Sequence, residues 1–215
     1  MIKLYSGPLS MFGAKAEIAF KEKGVPCDRE FVPFSLATFY EPKHPEVARI
    51  NAKKQVPVLI DGDLELFDST QIFEYLEDIQ PSPPLWPSDK RERARARLLE
   101  LKSDEVFFPN VILLMPHLRG NASDDVVNGA IAAIQDYYAQ MDARLERGDY
   151  LAGAFTYADI AFYMAQFFAG FLGQPPGEEH ARLLAWKSRM AARPAVAAVV
   201  DPMRAFLAEY GVAAP

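Results

Sequence analysis

The feature that most constrains this chain is a change of pattern at Pro81-Ser82-Pro83-Pro84-Leu85-Trp86-Pro87, four prolines within seven residues. Proline fixes φ and removes a backbone donor, so such a run reads as a stiff connector, not as helix or sheet interior. Before it, short β-branched runs alternate with helical stretches. After it, almost every segment carries helical periodicity. The 215 residues therefore divide into an α/β domain over 1–80, a linker over 81–88 that Trp86 pins to the body, and an all-α domain over 89–215.

In the first domain, residues 2–5 read as a buried strand, Ser6-Gly7-Pro8 as a turn and residues 12–23 as a helix closed by Gly24. Residues 27–34 alternate as a second strand, which makes a βαβ unit with parallel strands. A short helix over 45–50 precedes a hairpin: Val58-Leu59-Ile60 goes out, Asp61-Gly62-Asp63 turns and Leu64-Glu65-Leu66-Phe67 returns. Ser69 then starts a helix over 70–79, with Ile72, Phe73, Leu76 and Ile79 on one stripe. Pro57 stands at the entrance to the outgoing strand, a place where a missing N–H is tolerated. About one X–Pro bond in twenty is cis, and a cis Val56–Pro57 bond would turn the Val56 N–H and C=O outward, toward an extended peptide-like ligand.

In the second domain, helices are expected over 89–118, 124–147, 157–172, 178–193 and 195–210. Thr156 and Asp159 have capping-box spacing ahead of a helix apolar on all sides, the mark of a central core element. Phe107, Phe108, Val111 and Met115 recur at helical spacing, either as core or as the wall of a pocket, and Pro109 and Pro116 predict a kink there.

A net charge of −6 argues against nucleic-acid binding. No apolar run approaches the roughly 18 residues that span a bilayer, and the N-terminus shows no signal-peptide pattern. Cys27 is the single cysteine, and His44, His117 and His180 are far apart, so no metal site is expected. A soluble cytoplasmic protein is the expectation.

Four segments in this order resemble the cytosolic glutathione S-transferases along essentially the whole chain. They are Leu4-Tyr5-Ser6 through Ser10 into a helix ending Glu22-Lys23-Gly24; Asn51-Ala52-Lys53-Lys54-Gln55-Val56-Pro57-Val58-Leu59; Phe67-Asp68-Ser69; and Phe155-Thr156-Tyr157-Ala158-Asp159-Ile160. The resemblance implies a thioredoxin-like N-terminal domain followed by an all-helical C-terminal domain, with glutathione as cosubstrate and no permanently bound cofactor. It implies a cis Pro57, with Val56 pairing through its backbone to the cysteinyl unit. Asp68 and Ser69 would hold the γ-glutamyl end, where a plain helix cap is the competing role. Lys43 and Gln55 match positions that reach the glycine carboxylate in one plant class, Lys43 having a solvated surface role as its alternative. Ser10 matches the hydroxyl that stabilises the glutathione thiolate in serine-type members; Tyr5 and Ser6 are rival hydroxyls. Met11, Glu17 and Ala52 depart from the common family pattern, Glu17 standing where a basic residue is frequent.

The implied reaction is a detoxifying conjugation of glutathione to an apolar electrophile held by the helical domain, in a homodimer. A binding protein of the same fold without turnover is the alternative class. A glutathione-dependent isomerase or dehalogenase is a third, although Leu9-Ser10-Met11 lacks the Ser-Ser-Cys run of the zeta-type isomerases.

Overall fold

The computed structural model describes residues 1–115 and 123–211; Pro116, His117 and the expected end of the first long helix at residue 118 lie outside the described residues. Four strands are described, β1 (Lys3–Ser6), β2 (Asp28–Phe31), β3 (Val58–Asp61) and β4 (Leu64–Phe67). The helices are α1 (Met11–Lys23), α2 (Pro45–Ile50), α3 (Ser69–Ile79), α4 (Lys90–Lys102), α5 (Phe108–Ile112), α6 (Asp124–Arg144), α7 (Tyr157–Phe171), α8 (Ala181–Ala191) and α9 (Pro194–Glu209). They form two compact units, Met1–Pro84 with Ala195–Tyr210, and Leu85–Pro194 with Gly211. Helix α9, expected with the helical stretch of 89–215, thus groups with the N-terminal residues.

In the first unit the strands lie in the order β2-β1-β3-β4, with β1 parallel to β2 and antiparallel to β3. The parallel pair needs a crossover, which α1 supplies. Gly24 ends α1 at φ 65, a left-handed conformation open to glycine at little cost, and its N–H reaches back into the last turn. The β3–β4 hairpin turns at Gly62, φ 62. Strand β2 is shorter than its sequence pattern: its even-numbered residues face β1, which ends at Ser6, and the next β1 residue in position to donate to β2, Pro8, has no N–H. Ser6, expected in a turn, instead closes β1 opposite Phe31, and its carbonyl accepts the Val32 N–H at 2.8 Å. Cys27 lies just outside β2 and is half-buried rather than buried in a strand. Burial pushes its thiol up, the opposite direction from an activated cysteine.

In the second unit α7 is buried along nearly its whole length. Phe162 of α7 meets Phe107 at 5.3 Å, Tyr137 at 5.4 Å and Trp186 at 5.4 Å between ring centroids. Trp86 packs edge-on against Tyr157 at 5.9 Å, and Leu85 C=O accepts the Tyr157 N–H at 3.0 Å, which ties the connector to α7. The expected helix from residue 89 breaks at a π turn, Ser103–Phe107, where the Phe108 N–H returns to the Ser103 carbonyl. Pro109, two positions into α5, explains the widened turn: it has no N–H for the Glu105 carbonyl, and its ring crowds that oxygen. Phe107, Phe108 and Val111 are buried in this unit's core and Met115 is half-buried, so three of the four stripe residues serve packing. Among the described residues no helix is long and apolar enough to cross a membrane.

Candidate functional site

Strand register decides which sequence segments meet. Ser6 pairs with Phe31, Tyr5 with Val58, and Val58 with Phe67. The C-terminal ends of β1, β2 and β4 and the N-terminal end of β3 therefore share one end of the sheet. The segments leaving or entering there are Gly7–Ser10 with the start of α1, the connection that carries Lys43, the Gln55-Val56-Pro57 entry, and Asp68-Ser69 with the start of α3. Two helix N-termini open at this end, each presenting backbone N–H groups and a partial positive charge.

Ser10 is the N-cap of α1. Its Oγ accepts the Gly13 N–H at 3.0 Å, which leaves the hydroxyl proton for another acceptor. The side chain is largely buried, so such a bond would form away from bulk water. Gly13 is required here by space: a Cβ at this position would lie 2.3 Å from the Ser6 Oγ and 3.1 Å from the Ser10 Oγ. Gly13→Ala should therefore destabilise the fold by about 1–3 kcal/mol, overpacking outweighing the ~1 kcal/mol gain in helix propensity. Urea denaturation measures it, and an unchanged midpoint would mean that Ser6 moves aside freely.

Tyr5 and Ser6 have other work. Successive strand residues face opposite sides of the sheet. Tyr5 sits in the cluster with Val32, Val47 and Val58, its ring 5.0 Å from that of His44. Ser6 points toward α1 and donates to Glu17 Oε1, while Arg29 binds Glu17 Oε2 at 2.8 Å. Ser10 is thus the hydroxyl left at the start of α1.

The Val56–Pro57 bond is cis. Among the described residues the Val56 backbone takes part in none of the sheet, turn or cap hydrogen bonds. Asn51, buried, fixes the turn ahead of it. Its Nδ2 donates to the Gln55 carbonyl at 2.6 Å, its Oδ1 accepts the Lys53 N–H at 2.9 Å, and its carbonyl accepts the Lys54 N–H at 2.7 Å. Asn51 entered the sequence argument only as part of a motif. Its positioning role was available from the turn chemistry of asparagine two residues before a loop N–H. The Gln55 side chain is exposed, and Lys43 pairs with Glu41 at 3.1 Å.

Asp68 is the N-cap of α3, accepting the Thr70 N–H at 3.0 Å and the Gln71 N–H at 3.3 Å through Oδ1. Its backbone stands at φ 79, ψ 127, a conformation that costs a non-glycine residue on the order of 1–3 kcal/mol. Ser69 follows at the first helical position and is buried. The competing role for this pair is therefore real for Asp68, although its second carboxylate oxygen is not used by the cap. Tyr40, which no motif singled out, lies over Gly7, where a Cβ would be 2.4 Å from its ring. Burial pushes its phenol well up, so it stays protonated beside the Gly7–Ser10 segment.

Among the described residues no group of three or more His, Cys, Asp and Glu side chains is placed to hold a metal ion.

A parallel-antiparallel four-stranded sheet with helix N-termini at one end, followed by a helical unit, defines the class of a thioredoxin-like domain joined to an all-α domain. The family profile described as glutathione S-transferase, N-terminal domain, matches residues 4–84, and that of the C-terminal domain matches residues 110–194. Glutathione S-transferase 3 of Zea mays is 34% identical over 208 residues, covering 90% of each chain. A stringent starvation protein A homolog of Coxiella burnetii is 34% identical over 116 residues, 53% of this chain and 52% of that one. A glutathione transferase homolog from Sulfitobacter, solved with bound glutathione, superposes with a TM-score of 0.78 at 23% identity, covering 94% of this chain and 97% of that one; this likeness is one of fold. The chain belongs to the glutathione S-transferase family.

Proposed function

We propose that the protein is a glutathione transferase that binds glutathione across one end of the N-terminal sheet, stabilises its thiolate with Ser10 and adds it to an apolar electrophile. The observation that carries this is the convergence, by register, of the Ser10 N-cap, the Val56 backbone and the start of α3 at that end. The Val56 N–H and C=O would pair with the cysteinyl unit, as an added strand does. Ser69 and the Asp68 carboxylate would hold the γ-glutamyl carboxylate and ammonium. Gln55 and Lys43 would reach the glycine carboxylate, Lys43 exchanging its present partner Glu41 for the ligand. Residues 1–80 then form the glutathione-binding domain, and the span 89–215 supplies the second-substrate wall. A homodimer belongs to the proposal: Leu98, Leu101 and Val106 in and just after α4 are exposed apolar side chains that a partner would cover. A cytoplasmic setting, where thiols stay reduced, suits a thiol cosubstrate.

The test is glutathione titration by calorimetry followed by turnover with 1-chloro-2,4-dinitrobenzene and a panel of further electrophiles. Binding at submillimolar concentration together with conjugation is expected. Binding without turnover on any electrophile would favour the non-catalytic alternative, which the match to a stringent starvation protein A homolog keeps in view. No binding would remove both.

A further inference from the structure

Glu17 is an oddity that the site does not use. It is a buried carboxylate on α1, bonded to Ser6 of β1 and Arg29 of β2. Its side chain lines a cavity of about 260 Å³ between the Gly7-Pro8 segment, α1 and α9, whose other walls include Ala14, Phe31, Val199, Met203 and Phe206. These walls are almost wholly apolar. Ligand pockets commonly run from about 300 Å³ upward, so this one has room for little more than a single substituted ring.

A carboxylate offers about four lone-pair sites, and Glu17 accepts one bond from Ser6 on Oε1 and one from Arg29 on Oε2. Spare acceptor capacity therefore remains on a residue that lines an apolar chamber. The charge of Glu17 is already balanced by Arg29, which itself stacks over Phe31 at 4.2 Å. A cationic ligand would bring a second, uncompensated positive charge into a low-dielectric space, where burying an unpaired ion is costly. A neutral donor adds a charge-assisted hydrogen bond without net charge. The ring must be apolar to match the walls, and its donor must be a short O–H or N–H.

We propose that this cavity is a binding site for a single-ring phenol, its ring between α1 and α9 and its hydroxyl donating to Glu17. The Ser10 carbonyl accepts the Ala14 N–H at 2.9 Å, so the cavity wall lies one helical turn from the thiolate position.

The experiment uses 4-ethylphenol and ethylbenzene as probes, a pair differing by one hydroxyl, titrated into the full chain without glutathione and read by ligand-observed NMR. The wild type should bind 4-ethylphenol about tenfold or more tightly than ethylbenzene, the range of one hydrogen bond to a charged acceptor. In Glu17→Gln the ratio should fall below about threefold, as a charged acceptor becomes neutral. Met203→Trp, which fills the chamber without touching Glu17, should abolish binding of both probes. Equal affinities in the wild type, no binding of either probe, a ratio unchanged in Glu17→Gln, or undiminished binding in Met203→Trp would each overturn the proposal. Glutathione titration of the same samples is read separately: retained glutathione binding with no phenol binding removes the phenol site and leaves the transferase proposal standing.

Discussion

Ser10→Ala should lower kcat/KM for glutathione conjugation by roughly 10- to 100-fold while glutathione affinity changes little. A free thiol has a pKa of about 8.5, so at neutral pH only a few per cent is thiolate. Lowering that pKa by two units requires roughly 2.7 kcal/mol, of which a hydrogen bond to a charged acceptor supplies about 1.5–3 kcal/mol. The start of α1 contributes several tenths more. Ser10 can make this bond because its oxygen accepts from Gly13 N–H and its proton is left to donate. The same geometry complicates the simple variant, since removing an N-cap serine costs about 0.5–2 kcal/mol of stability. Ser10→Asp separates the two roles. Aspartate is an equally good cap, yet at neutral pH it has no proton for the sulfur and repels a thiolate. Near-wild-type stability with activity at or below that of Ser10→Ala is expected. The pH profile gives an independent readout: without the serine donor the inflection of kcat/KM should move up toward the free-thiol value. Full activity in Ser10→Ala, or a profile that does not move, would transfer the role to another group.

How much of this was legible in the sequence follows from the range of each interaction. The caps of α1 and α3, the left-handed Gly24, the Pro45 start of α2 and the Gly62 hairpin are local events, set by a few adjacent residues, and all could be read directly. The meeting of Ser10, Val56 and Asp68 was implied by the family resemblance; the βαβ pattern and the hairpin alone leave open whether β3 pairs with β1 or with β2, and the fold pairs it with β1. What escaped was non-local. The periodicity of α9 shows that it has an apolar face but not which unit that face belongs to. The Phe107–Val111 stripe has the same spacing in a core as in a pocket, and the structure assigns most of it to core. Glu17 looked like a departure from a pattern; its partners Ser6 and Arg29 are supplied by two different strands. The π turn before Pro109 needed the position of the missing donor relative to an already formed helix, which composition does not convey.

Asp159→Ala should cost about 3–5 kcal/mol, the loss typical of breaking a fully buried charged network. The sequence reading saw one end of this network, the capping box with Thr156. In the fold the carboxylate is wholly buried and accepts four bonds: Leu151 N–H at 2.9 Å and Trp186 Nε1–H at 3.0 Å on Oδ1, and Thr156 N–H at 2.9 Å and the Thr156 hydroxyl at 3.1 Å on Oδ2. One side chain thus fixes the start of α7, the residue-151 loop and the ring of Trp186 on α8. Alanine leaves these donors facing apolar neighbours, each unpaired group costing about 1–3 kcal/mol, partly relieved by relaxation. Burial pushes the Asp159 carboxyl up even against these four donors. Asp159→Asn should therefore be milder, about 1–2 kcal/mol, because one amide oxygen still serves two donors while its NH2 opposes the Thr156 N–H. Against a total stability of about 5–15 kcal/mol, the alanine variant should show a large fall in urea midpoint and the asparagine variant a modest one. Because the chain has two units, tryptophan fluorescence should be followed alongside circular dichroism; Trp86 and Trp186 both report on the helical unit. An alanine variant within about 1 kcal/mol of wild type would mean that water or backbone movement satisfies the four donors, and that Asp159 is a local cap with no wider reach.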